Sequence, residues 1–394
     1  MKVLVISHMY PSTFNHMSGI FVHKQVKELI KLGCEVKVIS PVPLAPFPLN
    51  KISTKWKKYS QIPKKNVIDG VEVYYPRYIE FPKGYFFAKS GYRMYKSIKS
   101  IAKNLNEIYK FDLIQSHVAL PDGYCGMILS KELNLPHVVT IHGQDFQCTI
   151  NRSEKLKRKV FEVLNEVDKS IVVSNKLKNV VKSEKFINKI EVVNNGIDVE
   201  DCKSNNGETS INTNECINIL SASNLIKTKG LEFNLKAISK LVNKYSNIKY
   251  YIIGDGEEKE NLSRLAKELN IYNNIVFLGR LNHNEVMNYM AQCDIFSLPS
   301  WKEGFGVVYV EAMLQGKPVI GIKGEGIEDV IVNKENGMLV KPKNVDELVG
   351  ALEFLITNSK KAEIIGEKAK QTVINDFTWK NNAQKTIKIY NSIM

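Results

Sequence analysis

The chain has 394 residues, too many for one ordinary core and the right length for two domains of about 150 to 200 residues each. Hydrophobic residues make up 44% and charged residues 24%, the balance of a globular protein rather than a disordered or fibrous one, and no apolar run reaches the roughly 18 residues that a spanning helix needs. A formal net charge of +14 and a pI of about 9.2 call for an anionic partner, which composition alone leaves open between nucleic acid, an anionic membrane face and a phosphorylated substrate.

The opening MKVLVISHMYPS reads as a first strand. It lacks the apolar core and small-residue cleavage site of a signal peptide. The six cysteines are scattered without a C-x-x-C pair, as expected of reduced thiols in a cytoplasmic protein. Short, continuously apolar, β-branched runs follow at Val3–Ser7, Val36–Ser40, Leu113–Ser116, Val138–His142, Ile171–Ser174 and Ile190–Val193. Such runs are parallel strands covered on both faces. A helix at Phe21–Leu32 closes at Gly33, a residue suited to the left-handed position after a helix end. Residues 203–214, almost devoid of apolar side chains, read as a linker. A second series then runs through Ile217–Ser221, Tyr250–Ile253, Ile275–Leu278, Ile295–Leu298 and Val319–Ile322. Two consecutive β-α-β series predict two doubly wound α/β domains, 1–200 and 215–376, followed by an amphipathic last helix within 377–394. In such sheets ligands bind beyond the carboxyl ends of the strands, so the residues just after each strand carry the candidate chemistry.

In the first domain Gly19 stands before the helix at Ile20, where backbone N–H groups can approach an anion; it is equally a plain turn glycine. His142 and Asp145 lie at the tip of the strand ending in THGQD, and His117 follows Leu113–Ser116 in the same way. Each is a candidate for chemistry or for structure. His8, also just past a strand, takes the structural reading. Asn194, Asn195, Gly196 and Asp198 read as a tight turn at the domain hinge.

The second domain is denser in signals. Lys229 and Gly230 open a helix, placing an ammonium and free N–H donors where a diphosphate can sit. Gly254–Gly256 is another strand-to-helix turn. In the stretch 299–321, Glu303 precedes Gly304, Phe305 and Gly306, whose amides can face a ligand, and a helix then carries Glu311. Two carboxylates straddling a glycine-rich loop suit two hydroxyl-bearing groups, a sugar ring and a ribose. Gly324, Glu325, Gly326 and Glu328 form a further glycine-rich turn able to cradle phosphate.

Taken together, GIFVHKQ, THGQD, NNGID, the KTKG segment, GDG, FLGRL and the E-x7-E element from Glu303 to Glu311 resemble glycosyltransferase family 4, the group 1 retaining transferases of the GT-B fold. The opening segment and IDGVEVYYPR look closest to polysaccharide-synthesis members such as the teichuronic-acid pathway transferases. The resemblance covers nearly the whole chain. It implies an α/β architecture of two Rossmann-like domains facing each other across a cleft, with the last helix crossing back onto the first domain.

It also implies roles. Glu303 would contact the donor sugar's hydroxyls, helped by Gly304, Phe305 and Gly306; Glu311 would hold the ribose; Lys229 would neutralise the diphosphate. The turn carrying Glu328 would support the nucleotide, with Gly254 on the same donor side. His142 would reach the transferred sugar near its reacting carbon, and Gly19 would lie under the diphosphate. Many members carry Arg five residues before the lysine. Here that position is Asn224, which supplies neither the charge nor the fork of a guanidinium, and Arg280 stands as a substitute. No D-x-D triplet occurs and no His, Cys and Asp cluster has metal spacing. The expected reaction is therefore metal-free and without a cofactor: a hexosyl unit leaves a nucleotide-diphosphate sugar, UDP-sugars ahead of GDP-mannose, for a glycan or lipid-linked acceptor.

The positive charge has its own expected partner. From Phe81 to Asn106 the chain has no acidic residue before Asn106, while Lys83, Lys89, Arg93, Lys96, Lys99 and Lys103 alternate with aromatics. This reads partly as a solvated helix face and partly as an interfacial segment for an anionic membrane surface, placing the protein on the inner face of the cell membrane. No RNP, zinc-finger or helix-turn-helix pattern supports nucleic acid. The rival readings are a GT-B epimerase, a phosphorylase, for which no pyridoxal lysine is identifiable, and a non-catalytic sugar- or lipid-binding scaffold.

Overall fold

The computed structural model describes every residue except 46, 49, 50, 52, 82, 83, 201, 203–208 and 212–215. Most of the predicted linker, and Lys83 of the basic segment, lie outside the described residues. The chain divides into two compact units, Met1–Asn194 with Trp379–Met394, and Asn195–Thr378.

The first unit carries β1 (Lys2–Ile6), β2 (Glu35–Ile39), β3 (Val42–Pro43), β4 (Lys65–Ile68), β5 (Val71–Tyr74), β6 (Arg77–Tyr78), β7 (Leu113–His117), β8 (His137–Ile141), β9 (Lys169–Val172) and β10 (Ile190–Val192). Eight of these form one sheet in the order β10-β9-β8-β7-β1-β2-β5-β4, while β3 pairs with β6. The pairings are parallel except β4 with β5. At the centre β7 and β8 are buried at every position, polar Gln115, Ser116 and Thr140 included, which only a sheet covered on both faces allows. The helix Ile20–Lys31 buries Val22, Val26 and Leu29 on one side, and the last helix, Trp379–Asn391, adds Ala383, Ile389 and Tyr390 to the same core. Gln25 Nε2 donates to Asn382 Oδ1 at 2.7 Å, and Tyr390 donates to Gln115 Oε1. A buried polar chain thus fixes where that helix lies on the unit.

Strands β4 and β5 depart from the sequence reading, which placed no strand there. They form a hairpin closed by Asp69 (φ 47°) and Gly70 (φ 82°), the Asp-Gly pair that a tight two-residue turn demands. Their side chains alternate in burial at the sheet edge, so no continuous apolar run announces them.

The second unit carries β11 (Ile217–Ala222), β12 (Ile248–Ile253), β13 (Ile275–Gly279), β14 (Ile295–Ser297), β15 (Val319–Ile322) and β16 (Met338–Val340). They make one parallel sheet in the order β13-β12-β11-β14-β15-β16. The order reverses direction between β11 and β14, and in the first unit between β1 and β7. Loops that follow strands flanking such a reversal splay apart and leave a crevice, where open α/β sheets hold ligands.

Candidate active site

At the second unit's reversal, the loop after β11 carries Lys229 and the loop after β14 carries Glu303. Their side chains meet in an ion pair between Lys229 Nζ and Glu303 Oε1, 18% and 12% exposed. Backbone lacing holds the two loops together: Trp301 N–H donates to Thr228 O at 3.0 Å and Ser300 Oγ to the same oxygen at 3.2 Å. Glu303 N–H in turn donates to Glu325 Oε2 at 2.6 Å. Gly326 is pressed so close that a Cβ would stand 2.3 Å from Gly304 O, leaving room for glycine alone. Gly324 N–H is taken by Glu328 Oε2 at 2.7 Å. Glu325 therefore braces the 303–306 loop while Glu328 closes its own turn, a role of Glu325 that spacing did not reveal.

Gly306 (φ 89°) caps the start of the helix Val307–Leu314, whose Tyr309 donates to Leu298 O at 2.6 Å. The start of this helix adjoins the pair, a Cβ built on Gly306 standing 3.9 Å from Glu303 Cγ, so the positive end of its dipole and an ammonium share one neighbourhood. Phe305 is buried and stacks on Phe377, ring centres 6.2 Å apart; it fixes the loop rather than offering a surface. Farther along the same helix, Glu311 stands 3.9 Å from His283 Nδ1. Cys202, His283 and Glu311 bring one sulfur, one nitrogen and one oxygen within 4.8 Å of each other, a donor set the sequence reading did not foresee. Asn224 is exposed at the loop after β11, laced to the turn after β12 by Leu225 N–H on Asp255 O at 3.0 Å, and Gly254 lies in that turn. Arg280 is exposed just after β13. The structure thus gathers Lys229, Glu303, Gly304, Phe305 and Gly306 tightly, with Glu328 exposed on the neighbouring turn. Glu311, Gly254, Asn224 and Arg280 stand at the same sheet edge.

In the first unit Gly19 adopts a left-handed conformation (φ 60°), with a Cβ position 2.1 Å from Met9 O. Only glycine lets the helix start so near the loop after β1. Phe21 on that helix lies 4.5 Å, ring centre to ring centre, from His142. His142 Nε2 and His117 Nδ1 are 2.9 Å apart in a stacked pair. Burial lowers His142 to about 3 and His117 well below its ordinary value, so both rings are neutral and one donates to the other. His117 thereby holds the orientation of His142.

His8, read structurally from the sequence, sits in a more chemical setting. Its Nδ1 lies 2.9 Å from both oxygens of buried Asp122, and its N–H donates to Oδ2 at 3.1 Å. Burial opposes the charged ring, yet the Asp122 carboxylate outweighs it and raises His8 above its ordinary value. Position just past a strand was the available signal; the pairing of residues 114 apart was not.

Comparison with known proteins agrees with this arrangement. Residues 18–201 match the family model described as Glycosyltransferase Family 4 and residues 208–372 that described as Glycosyl transferases group 1. An uncharacterized glycosyltransferase of Haemophilus influenzae is 32% identical over 279 residues, 70% of this chain and 76% of that protein. The putative teichuronic acid biosynthesis glycosyltransferase TuaC of Bacillus subtilis is 26% identical over 359 residues, 89% of this chain and 88% of its own. Among solved structures, Anabaena HepE in complex with UDP superposes with a TM-score of 0.73 at 19% identity, covering 100% of both chains. The two Rossmann-like units, the loops at their sheet reversals and these matches together place the chain in the group 1 glycosyltransferases of family 4, enzymes of the GT-B fold.

Proposed function

We propose that the enzyme transfers a hexosyl unit from a nucleotide-diphosphate sugar, a UDP-sugar first among them, to a glycan or lipid-linked acceptor in cell-surface polysaccharide synthesis. The observation that carries this is the Lys229–Glu303 pair at the second unit's sheet reversal, beside the N-terminus of the helix Val307–Leu314. A cation and free N–H donors suit a departing diphosphate, and the adjacent carboxylate suits sugar hydroxyls. TuaC and the UDP complex of HepE support the pathway class and the nucleotide.

In the proposed step the bond between C1 and the phosphate oxygen breaks, its electron pair leaving with the nucleoside diphosphate. The acceptor oxygen bonds C1 on the same face, so configuration is retained, and its proton passes to the departing phosphate oxygen. Lys229 moves its attraction from Glu303 to the growing phosphate charge, which is stabilisation realised as the transition state forms. Glu311 holds the ribose and His142 the transferred sugar. Arg280 stands as the second cation where Asn224 supplies none. No metal enters this scheme, since Lys229 and the helix N-terminus provide the positive charge.

No helix among the described residues is long and apolar enough to cross a membrane. We place the enzyme in the cytoplasm on an anionic membrane face, through the exposed aromatic segment near Phe86; flotation with vesicles tests this. Differential scanning with UDP-, GDP- and ADP-sugars tests the donor. At 100 times Kd a UDP-sugar should add about 2.7 kcal/mol to native stability. A panel in which no nucleotide sugar raises the melting temperature would sink the reading.

A further inference from the structure

Cys202, His283 and Glu311 come from three segments of the second unit, and the transfer scheme uses only the last of them. Cys202 precedes β11 and is 2% exposed. His283 opens the helix His283–Gln292, and Glu311 lies on the helix Val307–Leu314 that packs against it. Cys202 Sγ is 3.8 Å from His283 Nε2, and His283 Nδ1 is 3.9 Å from Glu311 Oε1. One sulfur, one nitrogen and one oxygen thus lie within 4.8 Å of each other, although Cys202 and His283 are 81 residues apart.

The backbone under each donor is fixed by the protein itself. Cys202 N–H donates to Asp198 O at 3.2 Å, and the Cys202 carbonyl accepts Gln315 Nε2 from the end of the helix that carries Glu311. At the other helix Glu285 N–H donates to Asn282 Oδ1 at 3.0 Å, and Asn282 N–H to Glu285 Oε2 at 2.8 Å. That reciprocal cap sets the backbone from which His283 projects. The His283 side chain is 43% exposed and that of Glu311 17%, so the imidazole can adjust and an ion can arrive from solvent past it.

The donor set decides which ion. Four-coordinate zinc holds sulfur at about 2.3 Å and nitrogen or oxygen at about 2.0–2.2 Å, which puts its ligand atoms about 3.4–3.6 Å apart. The Cys202–His283 pair is already close to that spacing, and side-chain rotation of about 1 Å closes the widest separation in the cluster. Magnesium and calcium take oxygen ligands, so the sulfur and nitrogen exclude them; thiolate with imidazole and carboxylate selects a softer divalent ion, zinc first. Thiolate and carboxylate charges balance such an ion, the thiol proton leaving to solvent as it binds. Three protein ligands leave a fourth position for water.

We infer that Cys202, His283 and Glu311 form a zinc site that, when filled, takes Glu311 away from the ribose, so that zinc and nucleotide exclude each other. The ion site stands on the donor geometry alone; the antagonism rests on the transferase reading above, in which Glu311 holds the ribose. Zinc is then an inhibitor of donor binding and has no part in the transfer step.

The test starts with cobalt, the spectroscopic stand-in for zinc, titrated into the full chain under a phosphine reductant. A thiolate-to-cobalt charge-transfer band and the d–d bands of a four-coordinate ion should appear, and stoichiometric zinc should erase them. Cys202→Ser should remove the charge-transfer band, and His283→Ala should weaken zinc at least about tenfold. UDP is then titrated with and without zinc, the free ion held by a chelator buffer so that UDP's own affinity for it is discounted. Saturating zinc should weaken UDP at least about tenfold in the parent. The same zinc level should leave UDP unchanged in both variants, whose zinc-free UDP affinity stays at the parent's value. No charge-transfer band, or one that survives in folded Cys202→Ser, means an adventitious ion only and overturns the site. If Cys202→Ser fails to fold, His283→Ala decides, and unchanged zinc affinity there overturns the site as well. Equal UDP affinity with and without zinc overturns the antagonism. UDP that fails to bind the zinc-free parent counts against the transferase reading and removes the antagonism with it, while the cobalt spectrum still decides the ion site, so the two failures are distinguishable.

Discussion

Lys229 and Glu303 are each other's partner and each other's control. Both are largely shielded, and a shielded ion pair loses more when one member is removed than an exposed pair does, because the remaining charge is left poorly solvated. Glu303 stays positioned by its own N–H on Glu325, so the loop should survive the loss of either side chain. Lys229→Ala and Glu303→Ala are each expected to reduce turnover about 10² or more, the size of an electrostatic contact aimed at developing charge. The two should differ in product binding. Of the pair, the lysine is the member proposed to meet the diphosphate, so Lys229→Ala should weaken UDP in a titration while Glu303→Gln changes it little. Full turnover in either alanine variant would remove the pair from the mechanism.

At the scale of elements, the helix Ser90–Tyr109 divides the basic segment into two parts. Met94, Ile98, Ala102 and Leu105 are buried on its inner face. Lys99 and Lys103 both pair with Glu132 at 2.7 Å, so those charges are answered within the protein. The remainder is upstream: Ile79, Phe81, Tyr85, Phe86 and Tyr92 are exposed, and Lys89, Arg93 and Lys96 lie among them. Arg93 Nε donates to Ile79 O at 2.7 Å, which holds the stretch against the helix. Three basic groups near an anionic surface contribute about 1 kcal/mol each, so about a hundredfold preference for anionic over neutral vesicles is expected at low salt. Flotation with phosphatidylglycerol and phosphatidylcholine vesicles measures it, and Tyr85→Ser with Phe86→Ser should lower binding to both. Equal flotation on the two lipids would discard the membrane reading. The same scale shows what the sequence could and could not convey. Central strands such as β1 announce themselves because burial on both faces favours unbroken apolar residues, whereas β7 and β8 mix buried polar groups such as Gln115, Ser116 and Thr140 into theirs. The β4–β5 edge hairpin needs only alternate burial, and its marks were Asp69-Gly70 and the short Val-Glu-Val-Tyr alternation of β5. The two-residue β3 and β6 carry no period at all.

Across the whole molecule, strand ends were legible and partnerships were not. Lys229 and Glu303 are 74 residues apart, and no local pattern says that two loops will meet. The sheet order supplies that, by setting β11 beside β14 and β1 beside β7. The same non-local packing buries a group of neutral histidines in the first unit, with a consequence for acid stability. His137 is 1% exposed, with Nε2 2.9 Å from Ser116 Oγ and Nδ1 buried without a partner. Burial lowers it to about 3, as it does His142, and holds His117 well below its ordinary value. Between about pH 6.5 and 3 the unfolded chain binds protons at these rings that the folded unit refuses, so stability falls as pH falls. Asp145, raised to about 7, has the opposite sign: the fold holds a proton that the unfolded chain releases, so its contribution is lost as pH rises. Asp122, raised by its own burial, shares the sign of Asp145, while His23, lowered by burial, joins the three rings; four rings against two carboxyls leave acid as the destabilising direction over that window, and His142, partly open to solvent, counts least of the first three. A variant separates these contributions. His137→Gln keeps an amide near Ser116 and removes the titrating ring. It should be less stable than the parent by roughly 1 kcal/mol at pH 7.5, and the gap should close as the parent loses about 1.4 kcal/mol per pH unit at this site. Hydrogen exchange of peptides spanning 113–141, corrected for intrinsic rates, reads the first unit by itself. A gap that stays constant from pH 7.5 to 4.5 would mean that the folded ring takes up its proton as readily as the unfolded chain does, so that burial does not lower His137.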